Sequence, residues 1–194
     1  MEGPVLKPPI VVDVDGVLFN FTKSFAEWFS QHNNFTISDN PQNYSWYSSN
    51  ENKNKIIQRG IAEYVNTDNQ YFELMSSDVP NCISELKKKF RVILVTAYPN
   101  REMRKKQLYQ SNIEYDELHF TDRYKSKYIK SLGIEPVFCI EDDPSIIRTY
   151  SEAGWKTYVP TYWNYTDKRT RLDNVVLYDQ LLEVVQEQLS SSSC

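Results

Sequence analysis

The pattern of apolar and polar positions repeats one theme along the chain: a short, nearly unbroken apolar run that ends in polar or acidic residues. Pro9-Ile10-Val11-Val12 leads into Asp13-Val14-Asp15-Gly16, Phe90-Arg91-Val92-Ile93-Leu94-Val95 into Thr96, and Pro136-Val137-Phe138-Cys139-Ile140 into Glu141-Asp142-Asp143-Pro144. Aliphatic and β-branched runs without alternation are the mark of strands covered on both faces. Between these runs the apolar spacing is helical. Residues 79–89 carry Cys82, Ile83 and Leu86 at helical spacing, with Pro80 in the first turn and Asp78 as a candidate cap. Residues 100–109 and 125–132 also read as helices, and 175–177 as a short edge strand followed by a helical stripe of Leu181, Leu182, Val184, Val185 and Leu189. Strands alternating with helices predict an α/β fold, a Rossmann-like parallel sheet flanked by helices. Parallel strands present their carboxyl ends at one edge, so Asp13, Asp15, Thr96, Asp142 and Asp143 are expected to meet in one crevice.

Asp13 and Asp15 lie two residues apart on an extended segment, so their side chains point the same way. Two carboxylates about 4 Å apart repel by roughly 4 kcal/mol at an effective dielectric near 20. A cation, a shared proton or a phosphate-handling task must compensate that repulsion.

Composition narrows the class. The chain has 194 residues, 40% of them hydrophobic and 25% charged, enough for one α/β core plus a sizeable insertion. A net charge of −4 argues against extended nucleic-acid binding, which calls for a basic surface. A small anionic ligand would be met locally instead, by Lys and Arg at the mouth of a site. Cys82 and Cys139 fall in apolar patterns, and with Cys194 the count is odd. Buried thiols in a reducing, cytoplasmic setting are therefore expected rather than disulfides. Met1-Glu2-Gly3-Pro4 has neither the basic start nor the apolar run of a signal peptide, and no stretch suits a membrane span. His32 and His119 are too isolated for a zinc site.

Taken together, Asp13-Val14-Asp15-Gly16-Val17, Leu94-Val95-Thr96-Ala97, a lysine among Lys125-Ser126-Lys127, and Ile140-Glu141-Asp142-Asp143 resemble the four motifs, in order, of the haloacid dehalogenase-type phosphohydrolases. They span residues 10–144. Within that superfamily the chain resembles the 5′-nucleotidase group that includes the 5′(3′)-deoxyribonucleotidases, through Tyr71-Phe72-Glu73-Leu74, the acidic doublet, and Pro160-Thr161-Tyr162-Trp163-Asn164. It departs from that group at Pro144 and Tyr165, where a basic residue is usual.

The resemblance implies a magnesium-dependent hydrolase of phosphomonoesters. It makes Asp13 the nucleophile that forms an aspartyl-phosphate and Asp15 the general acid and base. Magnesium ligands would come from Asp13, the Asp15 backbone carbonyl and Asp142, with Asp143 supporting them from behind. Thr96, Ala97 and the lysine would hold the phosphoryl group. Lys125 lies four residues before Ile129, in the first turn of its helix, and is favoured for that role over Lys127.

About 60 residues separate Phe19 from the next core helix, too many for a plain loop. Phe25, Trp28 and Phe29 at helical spacing, and a second helix over 53–65, predict a small helical cap inserted after the first strand. The division expected is a catalytic core of residues 1–18 and 79–194 and a cap of residues 19–78. Such a lid excludes water and selects the leaving group. Phe21 and Trp46 are the candidate substrate-facing rings, with Tyr47, Tyr71 and Phe72 nearby, while Phe25, Trp28 and Phe29 are expected to form the core of the cap. The substrate expected is a small phosphorylated molecule, a nucleoside monophosphate foremost. A sugar phosphate or a nucleic-acid 3′-phosphate end is the alternative, and a fold retained for binding without turnover is the non-enzymatic one. The apolar stripe near the carboxyl end leaves an oligomer open.

Overall fold

The computed structural model describes residues 6–44, 46, 50–67, 72–122, 124–166 and 172–190. Its strands are β1 (Pro9–Asp13), β2 (Arg91–Thr96), β3 (Glu117–Phe120), β4 (Cys139–Ile140), β5 (Thr157–Pro160) and β6 (Val175–Tyr178). They form one six-stranded sheet in the order β3-β2-β1-β4-β5-β6, every pairing parallel. The helices are α1 (Phe21–His32), α2 (Glu51–Tyr64), α3 (Val79–Lys89), α4 (Arg101–Gln110), α5 (Lys125–Ser131), α6 (Pro144–Glu152) and α7 (Leu181–Ser190).

Alternate residues of the central strands feed two separate buried clusters, as a sheet covered on both faces requires. Ile10, Val12, Val92 and Leu94 join Ile83, Leu86, Val184 and Val185 of α3 and α7 on one face. Val11, Ile93 and Val95 join Ile129, Ile146 and Tyr150 of α5 and α6 on the other. The β1–β2 register sets Asp13 opposite Val95, so the acidic end of β1 and Thr96 come out at the same edge.

The structure adjusts several expected boundaries. The second strand runs to Thr96, one residue further than the apolar run suggests. Only Cys139 and Ile140 of the third run pair as a strand. Asp78 sits at the start of α3 without making a side-chain cap, leaving Pro80 as the sequence's start signal there. Strand β3 carries no strong apolar signal, being half-buried edge throughout, and α6 turns Ile146, Ile147 and Tyr150 inward.

Between β1 and α3 the chain makes α1 and α2. Asn20 and Asn50 cap them, Asn20 accepting from the Lys23 N–H and Asn50 from the N–H groups of Asn52 and Lys53. The helices meet where Gly60 faces Phe29, and a Cβ at Gly60 would come within 2.8 Å of that ring. Phe25 and Phe29 are fully buried, as expected of them, while Trp28 is partly buried and stacks on His32. The way out of the sheet and the way back run side by side. Asn20 N–H donates to Glu73 O, Met75 N–H donates to Leu18 O, and Phe19 bridges Leu74.

Candidate active site

The turn after β1 is built around Gly16. Its φ of +81° favours glycine, and a Cβ there would overlap the Asp142 carboxylate, so no other residue lets β1 and the segment after β4 approach this closely. Tyr162 Oη and Trp163 Nε1 both donate to the Gly16 carbonyl, at 2.8 and 3.1 Å, and fasten the turn from the far side.

Asp13 and Asp15 leave this turn toward different cations. Lys125, buried in the first turn of α5, donates to Asp13 Oδ1 at 2.6 Å and to Glu141 Oε2 at 2.9 Å. Arg104 of α4, wholly buried, donates from Nη2 to Asp15 Oδ1 at 2.5 Å. The hydroxyl of Thr96 donates to Asp15 Oδ2 at 3.3 Å and accepts from the Tyr98 N–H. The repulsion built into the Asp13/Asp15 pair is thus answered by two buried cations from two helices.

Around Asp13 the carboxylates crowd further. Asp13, Glu141 and Asp142 each bring one oxygen within 4.8 Å of the others. Burial pushes the Asp13 carboxyl above its usual range, against the pull of Lys125. Burial and the charge of Asp13 raise Glu141 to about 8. Burial disfavours the charge on Lys125, yet Asp13 and Glu141 together carry its pKa above that of a free lysine. Tyr165 Oη donates to Asp142 Oδ2 at 2.9 Å and fixes that carboxylate. Three carboxylates against one lysine leave a surplus of negative charge in a pocket of hard oxygen donors. That donor set fits a divalent cation of the magnesium or calcium kind.

Of the residues expected here, Asp13, Asp15, Thr96, Lys125 and Asp142 come together. Lys127 does not: it lies with its ammonium over the Tyr124 ring. Asp143 turns away from the carboxylate cluster and caps α6, accepting from the N–H and hydroxyl of Ser145. Ala97 borders a neighbouring hollow of about 250 Å³ with Arg101, Phe120 and Thr121. Phe21 and Trp46 line a pocket of about 170 Å³ directly over Asp15 and Asp142, joined by Tyr44, Ile61 and Tyr165. The expectations for Tyr47, Tyr71 and Cys194 fall outside the described residues.

Two residues that touch this chemistry escape the sequence reading. Glu141 stands in plain view in the fourth motif, but the acidic doublet beside it draws the assignment. Arg104 shares the buried side of α4 with Gln107 and Leu108, so polar side chains occupy two of its three buried positions and the apolar period is erased.

No protein-family model and no curated protein matches the chain. Solved structures do. A predicted phosphoglycolate phosphatase from Haemophilus somnus is 16% identical, with 96% of this chain and all of that one covered, at a TM-score of 0.61. A HAD-superfamily hydrolase from Ehrlichia chaffeensis is 15% identical over 96% and 98% of the two chains, at 0.56. D,D-heptose 1,7-bisphosphate phosphatase from B. bronchiseptica, complexed with magnesium and phosphate, is 13% identical over 95% and 99%, at 0.55. At these identities the likeness is one of architecture, and it establishes the fold as the α/β core of the haloacid dehalogenase type.

Proposed function

We propose that this chain is a magnesium-dependent phosphomonoester hydrolase acting through an aspartyl-phosphate on Asp13, with nucleoside monophosphates as its substrates. The observation that carries the proposal is Asp13 itself, a strand-end carboxylate paired with buried Lys125 and ringed by Glu141 and Asp142. Solved structures of the same fold named as phosphatases, one of them holding magnesium and phosphate, support it.

A carboxylate oxygen of Asp13 attacks phosphorus, the bond from phosphorus to the ester oxygen breaks, and Asp15 gives that oxygen a proton. Asp15 then takes a proton from water as the water attacks the phosphorus of the acyl phosphate. Phosphate leaves and Asp13 is restored. Lys125 neutralises charge on the phosphoryl oxygens, and Thr96 holds Asp15 in reach. Asp13, Glu141 and Asp142 would hold magnesium, with the Asp15 carbonyl that the family resemblance implies. The ion when bound supplies charge neutralisation to the phosphoryl group.

The insertion of residues 19–78 acts as the cap. Among the described residues its pocket offers Phe21, Tyr44, Trp46 and Ile61 but no lysine or arginine, which suits the flat apolar face of a nucleobase better than a second phosphate. Sugar-phosphate hydrolysis is the second reading, supported by the names of the structural neighbours, and it shares every step at Asp13. A panel of phosphate esters assayed with magnesium and after chelation tests both. Nucleoside monophosphates are expected to turn over fastest and only with magnesium. Faster turnover of sugar phosphates selects the second reading, and full activity after exhaustive chelation refutes both.

A further inference from the structure

Arg104 is the largest fully buried side chain among the described residues, at 0% exposure, and it brings a guanidinium charge into the interior. An arginine kept in a core for stability ordinarily distributes its donors among several acceptors. Here the single acceptor that the structure gives it is Asp15 Oδ1, while Nε and Nη1 find no partner among the described residues. The rest of its surroundings is aromatic. The Tyr98 ring lies 4.1 Å from the guanidinium carbon, and the Phe19 and Phe72 rings lie at 5.3 Å each. Cation–π contact offsets part of the desolvation. An apolar side chain of similar volume would nevertheless fit this cage with no charge to bury, since replacing a buried ion pair by packed apolar groups is often neutral or stabilising. The ion pair therefore calls for a reason beyond stability.

The place of the cage supplies one. Phe19 and Phe72 belong to the two adjacent segments by which the insertion leaves and rejoins the sheet. Phe72 also stacks on Phe21 at 5.8 Å, and Phe21 lines the pocket over Asp15. Asp15 is gripped from the core side while its side chain stays 25% exposed toward that pocket. We infer that Arg104 is a positioning residue for Asp15, held in register by an aromatic cage shared with the hinge of the insertion. The inference rests on the acid–base role given to Asp15 above.

The test separates positioning from packing through the leaving group. An alkyl ester such as a nucleoside 5′-monophosphate needs a proton on its departing oxygen, whereas the nitrophenolate of p-nitrophenyl phosphate departs without one. Arg104→Met is expected to lower kcat on the alkyl ester by about tenfold or more, the scale of acid catalysis, and on the aryl ester by less than about threefold. KM and magnesium affinity should hold, and Arg104→Lys should recover part of the loss. In an Asp15→Asn background Arg104→Met should add nothing, because both changes remove one function. Equal losses on the two esters, or additive losses in the double variant, would overturn the inference. Crystal structures of the wild-type protein and Arg104→Lys, which retains the charge if the methionine variant fails to fold, give an answer that needs no turnover. The Asp15 carboxylate should shift in the variant, and an unmoved carboxylate refutes the positioning role even if the hydrolase assignment fails independently.

Discussion

The floor and the roof of the crevice are made of opposite materials. The floor joins Asp13, Glu141 and Asp142 with Lys125 in a sealed ionic cluster fixed to strand ends and to the first turn of α5. The roof is Phe21, Tyr44, Trp46 and Ile61, carried on α1, α2 and the connection between them, over a pocket of about 170 Å³. Charges buried in a rigid sheet edge are preorganised for one reaction, because moving them would expose or unpair them. The aromatic rings stand outside that ionic cluster, on a segment joined to the sheet by two crossings. Under the proposed function, the floor decides the chemistry and the roof decides which ester reaches it.

The sharpest way to break this comparison is at the floor. Asp13→Asn should abolish phosphate release from every ester alike, by at least the ~10³-fold expected when a nucleophile is lost. Activity of the purified variant within tenfold of wild type would remove Asp13 from its role. Next comes the lysine. Lys125→Ala should cost about 10²-fold or more in kcat, and should weaken the metal-free fold by leaving Asp13 and Glu141 buried without their cation. Lys127→Ala, whose ammonium rests over Tyr124, should leave both nearly unchanged, and the reverse ranking would dissolve the floor as described.

At the roof the effect should be smaller and selective. Phe21→Ala or Trp46→Ala should raise KM for a nucleoside monophosphate by roughly tenfold, in line with one lost base–ring contact, while a small aryl phosphate is barely affected. Equal losses on both substrates would assign these rings to packing, for which the stack of Phe21 on Phe25 and Phe72 is the evident basis.

Smallest of all is a pH effect on the metal-free protein. Burial and the charge of Asp13 lift Glu141 from the ordinary carboxylate range to about 8, so the folded state holds a proton that the unfolded chain has already released. The stability linked to that proton is complete below the ordinary range and is lost as pH rises through about 8. With chelator present, Tm should therefore fall between pH 6 and pH 9, and magnesium, which competes with the proton, should stabilise more at pH 9. A metal-free Tm that rises over this interval would contradict the Glu141 environment.

The floor was far more legible in the sequence than the roof, and the reason is physical. A strand buried on both faces has no freedom but to be apolar, so Ile10-Val11-Val12 and Val92-Ile93-Leu94-Val95 announce themselves, and the polar residues where such runs end mark one edge of the sheet. Lys125 could be chosen over Lys127 because helical spacing to Ile129 fixes the face it occupies. Arg104 defied the same logic. It is a charge on a buried helical face, tolerated through Asp15, Phe19 and Phe72, all far away in sequence, and through the nearby Tyr98 ring. Asp143 and Glu141 show the limit of motif reading, since two acids two residues apart divide into the cap of α6 and a member of the buried carboxylate cluster with Asp13 and Asp142. The roof obeys no strict period, and its rings came out of aromatic content and position rather than pattern.

The central claim, phosphoryl transfer to Asp13, is tested most directly by trapping the acyl phosphate. Enzyme turning over a phosphomonoester with magnesium is quenched rapidly in acid, reduced with borohydride, digested and read by mass spectrometry, because reduction of an aspartyl-phosphate converts that aspartate to homoserine. Homoserine is expected at position 13, and it should vanish when magnesium is chelated or Asp13 is replaced by asparagine. Turnover with homoserine at another aspartate, or steady turnover by Asp13→Asn, would contradict the account.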